Sequence, residues 1–354
     1  MIYWLGNIVL LLSYTVFLSV SQLGKEQKNS LLLKIMFLQS LFLIVFKDNT
    51  IFNDIWVYLL GFDYSLTVGW SEVAKIQHFA TEVKFELGWA YFTKLVSSLI
   101  GYRGVLLLVV GLIILRSHFV FIKKYSQITW FSIFLFITIF FYNSLFVLRQ
   151  NLALAILLFS IPYIIERKFV KFLIFIVIAF LFHQTALVFV LLYFIYPIKL
   201  NVKNSLFFIV FAILFYFVFK NIIETAASLL KGYETYKYGV GDSTIGNITP
   251  LLISLFLLLF IVVVYSPISK ITKHEKLFFF MILFMVLIDV ARIGLTGTIG
   301  RLNLYNYPAI LILLPNGCQK ITNLPVRYLS IGIISVLYFI MMIRAMEYGF
   351  ALSF

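Results

Sequence analysis

The residues best equipped for chemistry stand at the two ends of one apolar hairpin. Leu148-Arg149-Gln150-Asn151-Leu152-Ala153 opens it and Phe182-His183-Gln184-Thr185-Ala186-Leu187 closes it. Between them run an apolar stretch (Leu154 to Ile165), a charged elbow (Glu166, Arg167, Lys168, Lys171) and a second apolar stretch (Phe172 to Leu181). At about 1.5 Å per helical residue, Arg149 to Glu166 covers roughly 25 Å and Lys168 to His183 roughly 22 Å. Both lengths are close to a bilayer core, so Arg149 and His183 are expected at the same depth on the same side. An arginine and a histidine at one membrane surface suit an anionic ligand. The plainer readings are a snorkelling arginine and a helix-end histidine that donates to a carbonyl.

Other residues extend this constellation. Arg292 and Arg301 flank Gly294, Gly297 and Gly300 in a stretch expected to turn at the same face. Three guanidiniums suit a pyrophosphate, because the planar fork donates in pairs to phosphate oxygens and keeps its charge. His183 would serve there either as a general base or, when charged, as another phosphate ligand. Asp48, Asp54 and Glu86 are the carboxylates nearest the outer helix ends, read either as solvated loop acids or as groups that meet a sugar hydroxyl. Asp54 and Tyr58 share a face if that stretch is helical. Trp56, Trp70 and Trp89 offer stacking faces or membrane anchors. His78, His118 and His274 are scattered, and no metal-ligand spacing, Walker loop, dinucleotide fingerprint or serine elbow occurs. No metal or cofactor is therefore expected, and the energy must come from an activated substrate or a gradient.

The elements that position these residues follow from composition. A chain 63% apolar and 12% charged, with a mean hydropathy of +1.05, is an integral membrane protein, since soluble domains are about 25% charged. The apolar runs have no strand alternation, which leaves an all-α polytopic protein. We expect one membrane domain over 1–354, with outer-face embellishments at 47–103 and 221–249. Threading the runs alternately gives about twelve crossings with both termini outside. The +14 net charge reports topology and not nucleic acid. Lys25 and Lys28, Lys123 and Lys124, Arg167 to Lys171, Lys199 and Lys203, Lys270 to Lys276, and Lys320 with Arg327 collect on inner elbows while nearly all acids fall outside. Ile2 to Val20 lacks a basic leader and a cleavage site and is expected to be a retained helix. The segment from Phe85 to Ile100 carries Glu86 and Lys94 and is expected to be interfacial or re-entrant. Cys318 is the only cysteine, so no disulfide framework is expected.

The chain resembles the EpsG-like family of bacterial exopolysaccharide and O-antigen polymerases, the Wzy-like proteins. The resemblance rests on Asp54 with Tyr58, Phe85-Glu86-Leu87-Gly88-Trp89, Leu148 to Ala155, Phe182 to Leu187, and Arg301 with Tyr305. It implies a capsule- or O-antigen-type glycosyltransferase in the bacterial cytoplasmic membrane, joining oligosaccharide repeat units carried on polyprenyl (undecaprenyl-type) pyrophosphate at the outer face. The same resemblance implies a flippase and a chain-length regulator as partners. Carried over, Arg149 and Arg301 would hold the donor pyrophosphate, His183 would assist at the reacting centre, and Asp54 and Glu86 would meet the acceptor. Gln150, Tyr58 and Tyr305 would line the substrate, and Arg292, read from its place at the same face, is expected to join them. The chain departs from the pattern at Lys47-Asp48, where the family often has an arginine. A transporter or flippase of lipid-linked glycan and a membrane glycan acyltransferase or ligase are the other classes this sequence admits.

Overall fold

In a computed structural model the described residues are 2–47, 53–79, 84–199, 210, 214, 248–266, 271–292 and 300–347. Among them the architecture is all-helical, with no strand. Asp48 and nearly all of the expected outer loop 221–249 lie outside the described residues, as does the side chain of Arg292. The chain divides into two compact units, Met1–Val190 and Leu191–Phe354.

The first unit begins with α1 (Ile2–Val20) and α2 (Lys25–Phe46). Their turn is closed by Lys28, whose Nζ donates to the Ser19 carbonyl at 2.9 Å. The aromatic, acid-containing stretch that follows forms α3 (Asn53–Thr67), a 3-10 helix (Trp70–His78) and α4 (Leu87–Leu99), the short helices its composition predicts. Next comes α5 (Gly104–Tyr125), which packs on α2. Gly111 permits that approach, since a Cβ there would lie 3.0 Å from Ile44.

The hairpin read from sequence is α7 (Leu148–Ile165) and α8 (Phe169–Phe182), packed on each other. Its elbow is a Schellman turn. The Lys168 N–H donates to the Tyr163 carbonyl at 2.9 Å and the Arg167 N–H to the Ile164 carbonyl at 3.2 Å. Arg167 takes φ 57°, the left-handed conformation that glycine adopts without cost. The positive-inside pattern puts a charge where backbone geometry asks for glycine.

Two expectations change. The ascent over 128–147 is not one helix. It consists of α6 (Thr129–Leu135), a π-helical turn (Phe136–Phe141) and a 3-10 turn (Asn143–Leu145). Thr138 Oγ1 donates to the carbonyls of both Phe134 and Leu135, at 3.1 and 3.2 Å, and so competes for the acceptors of the helical ladder. The descent over 187–197 is likewise a 3-10 helix (Gln184–Phe189) followed by the six-residue α9 (Val190–Ile195).

The second unit contains α10 (Thr249–Val264), α11 (Lys273–Arg292), a 3-10 helix (Arg301–Tyr305), α12 (Pro308–Lys320) and α13 (Leu324–Glu347). A capping box opens α11: the Thr272 backbone and hydroxyl both donate to Glu275 Oε2, at 2.7 and 2.8 Å, and the Glu275 N–H donates back at 3.3 Å. Lys320 pairs with the same carboxylate at 3.3 Å. Tyr265 donates to the Leu313 carbonyl at 2.9 Å, tying α10 to α12.

Among the described residues, four helical segments are long and apolar enough to cross a membrane: Lys25–Phe46, Gly104–Tyr125, Leu148–Ile165 and Leu324–Arg344. Shorter apolar helices supplement them, including Leu5–Val20, Phe169–Phe182 and Thr249–Val264. The described residues therefore do not confirm the dozen crossings expected from the apolar runs, and π and 3-10 turns break up two of those runs.

The elbow gives a test of this geometry. Arg167→Gly should raise thermal stability in detergent by about 1 kcal/mol, and Arg167→Val should lower it by a similar amount, because a side chain in the left-handed region costs roughly that much.

Candidate functional site

Arg149 is the second residue of α7. It sits at the positive end of a helix dipole, the wrong end for a cation, so an anion must stand close by. Glu86 supplies it. Glu86 is the N-cap of α4, with extended backbone (φ −70°, ψ 152°), and its carbonyl accepts from the Ala90 N–H at 3.1 Å. Its carboxylate therefore lies where a helix start favours negative charge.

The two oxygens of this carboxylate serve two partners. Oε2 is ion-paired with Arg149 Nη1, and Oε1 accepts from His183 Nδ1 at 2.9 Å. A carboxylate has no proton to give, so Nδ1 carries the hydrogen and Nε2 of a neutral His183 presents a lone pair. Arg149 is held further by the Lys84 carbonyl, which accepts from Nη1 at 3.1 Å, and by the Tyr58 hydroxyl, which accepts from Nε at 3.5 Å. The guanidinium also lies over Phe85 and Tyr58, 5.2 and 5.8 Å from the ring centres. Among the described residues, neither Arg149 Nη2 nor His183 Nε2 carries a hydrogen bond. Side-chain exposures of 17% for Arg149 and 25% for His183, against 11% for Glu86, leave the two outer groups in reach of a ligand while the carboxylate stays inside.

Local sequence explains how segments this far apart meet. Gln77 grips Phe85 from both sides: the Phe85 N–H donates to the Gln77 carbonyl and Gln77 Nε2 donates to the Phe85 carbonyl, both at 3.0 Å. Gly61 on α3 leaves room for the Phe85 ring, which a Cβ would approach to 2.7 Å. Gly88 matters most. A Cβ there would lie 2.6 Å from the Leu181 carbonyl oxygen, so only glycine lets the start of α4 rest on the end of α8. His183 then leaves α8 in an extended conformation (φ −159°, ψ 120°), with its N–H bonded to the Ala179 carbonyl at 2.9 Å. That turn places its ring beside Glu86.

Electrostatics agree with this arrangement. Burial alone pushes the Glu86 carboxyl up, but the His183 hydrogen bond, the Arg149 charge and the backbone amide together hold it below the ordinary 4.5. At Tyr58 burial prevails over the neighbouring Arg149 and raises the phenol, which stays a neutral hydroxyl.

The other sequence candidates are placed as follows. Asp54 is exposed on α3, one turn before the buried Tyr58. Gln150 is buried next to Arg149. Arg301 and Tyr305 belong to the second unit, on the 3-10 helix before α12, with Arg301 exposed and Tyr305 buried. Beside them the Asn303 amide donates to buried Asp289 at 2.7 Å. Trp89 is fully buried, neither an anchor nor an open stacking face, and it packs on Tyr58 and Phe85. Sequence reading missed Lys84, Gly61 and Gln77 as parts of the site, and it named Phe85 and Gly88 only within the family-like motif Phe85 to Trp89 without a role. Only the glycine directly after Glu86-Leu87 carried a usable signal. No group of three or more metal-ligating side chains occurs among the described residues.

Comparison with known protein families matches residues 7–352 to the EpsG family, and the chain belongs to that family. No curated protein and no solved structure matches it.

Three measurements test the site. Gly88→Ala should lower thermal stability by about 1–3 kcal/mol through overpacking, while Gly332→Ala, whose methyl meets nothing within 4 Å, should not. Arg149→Met or Glu86→Gln alone should cost about 3 kcal/mol by stranding a charge, and the double variant should recover part of it. Because the Glu86 carboxyl is held below its ordinary value, its stabilisation is complete above pH 4.5 and disappears as pH falls through the lower native value. The melting temperature of the native protein should therefore fall in that acid window, and that of Glu86→Gln should stay flatter.

Proposed function

We propose that this EpsG-family membrane protein is a polysaccharide polymerase, joining oligosaccharide repeat units carried on polyprenyl pyrophosphate at the outer face of the bacterial cytoplasmic membrane. The observation that carries this reading is the single carboxylate that fixes both a guanidinium and an imidazole while leaving one donor edge and one ring nitrogen open.

In this reading Arg149 Nη2 binds the donor pyrophosphate and His183 Nε2 meets a hydroxyl of the acceptor sugar. The hydroxyl oxygen forms a bond to the donor anomeric carbon as the bond from that carbon to pyrophosphate breaks. The proton passes to His183 Nε2, and the electron pair leaves on the polyprenyl pyrophosphate beside Arg149. Glu86 stabilises the imidazolium and orients the ring through Nδ1, so it is a positioning residue. The pyrophosphate is an activated leaving group, and the protein need only position two sugars, take one proton and neutralise developing charge. The family resemblance extends phosphate binding to Arg301.

The test is reconstitution of the purified protein with its lipid-pyrophosphate-linked repeat unit, with products resolved on a gel. The native protein should give a ladder. Arg149→Ala, Arg301→Ala and His183→Ala should leave single repeat units on lipid, with turnover reduced at least about 100-fold for loss of a general base. Glu86→Gln should keep residual activity with an altered pH profile. Normal ladders from both arginine variants would overturn the reading. Movement of intact substrate across vesicles without a ladder would point to transport, and acyl transfer to the glycan without chain growth would point to an acyltransferase.

A further inference from the structure

The helix that carries Glu86 is amphipathic in the inverted sense. Inward, α4 buries Trp89, Ala90, Thr93, Lys94, Val96 and Ser97. Three polar groups on that side are tied to one another: Lys94 Nζ donates to the Ser65 carbonyl at 2.9 Å, Ser65 donates to Ser97 Oγ at 2.8 Å, and Ser97 donates to the Lys94 carbonyl at 3.0 Å. Outward, Leu87, Tyr91, Leu95 and Leu99 recur every fourth residue and are 41%, 48%, 49% and 74% exposed. They form one apolar stripe about 18 Å long.

Thirteen residues are too few to span a bilayer core, which takes about 20. A helix of this length can lay an apolar face against acyl chains from the side without crossing them. It starts beside the residue that holds Arg149 and runs away from it. Where Gly88 rests on Leu181, the exposed Val177, Ile178 and Leu181 of α8 continue the apolar surface.

We propose that this stripe is the track for the isoprenoid tail of the lipid-linked donor, whose pyrophosphate is held at Arg149. The inference rests on the polymerase reading for the identity of the donor. Phospholipid chains offer the same apolar chemistry, but a tail whose headgroup is bound at the end of the stripe is present there at the high effective concentration of a tethered ligand. Continuity between the charged site and the stripe selects that occupant.

The experiment places a photo-reactive phenylalanine at position 91 or 95, and at Leu329, which is 64% exposed on α13, as a control. Each full-length protein is reconstituted in phospholipid vesicles with a trace of donor radiolabelled in its polyprenyl chain, and polymer is scored in the same samples. Labelling at 91 and 95 should exceed that at 329 by about tenfold, the preference that burying roughly two extra methylenes supplies, and it should fall to the level at 329 in Arg149→Ala. In parallel, Leu99→Gln, about 18 Å along the helix from Leu87, should raise KM for a donor on a long polyprenyl chain and leave KM unchanged for a donor on a two-isoprene geranyl chain. Ladders with equal labelling at 91, 95 and 329, or equal KM effects on both donors, would overturn the track and leave the polymerase standing. Selective labelling without any ladder would support the track and overturn the polymerase.

Discussion

Everything in the first unit that bears on function depends on one carboxylate in a dry place. Glu86 is nine-tenths inside the protein and still ionised, a state that requires its charge to be answered on every side. Arg149, His183 and the start of α4 provide the answer, and each is placed by something else: α7 by its packing on α8, His183 by the extended turn that ends α8, α4 by a glycine. Removing any one support would strand a charge. The open edge of Arg149 and the open nitrogen of His183 are consequences of how that carboxylate is satisfied.

A good part of this was legible in the residues. The hairpin between Arg149 and His183 has the length and direction that its apolar runs and charged elbow imply, and the aromatic stretch after α2 forms the short helices its composition suggests. The role of Glu86 was less legible. Sequence spacing says that an arginine and a histidine return to one surface; it does not say that a residue 63 positions before one and 97 before the other joins them. Arg149 and Glu86 were each legible as candidates, but not as each other's partner. Folding pairs the two because neither charge could be buried alone.

The breaks in two apolar runs were illegible for a different reason. Hydropathy measures whether a run tolerates lipid and is silent on whether its backbone stays α-helical. Thr138, with a hydroxyl able to reach two carbonyls, and the 3-10 turns after His183 both lie in runs that read as plain helix. The inverted face of α4 hid similarly, since a stripe of leucine and tyrosine opposite lysine and serine looks the same whichever side is buried. Only the partners of Lys94 and Ser97 decide it.

The separation of these partners along the chain also orders events at the ribosome. The bonds between Gln77 and Phe85 close within eight residues, so the segment bearing Glu86 takes its shape early. Its carboxylate then waits while α5, the broken helix after it and both arms of the hairpin are made and inserted. During that interval burying the bare carboxylate would be costly. Arg149 and His183 can pair with it only after the hairpin has folded back, so a nascent chain stalled before that point lacks the contacts that order the candidate site.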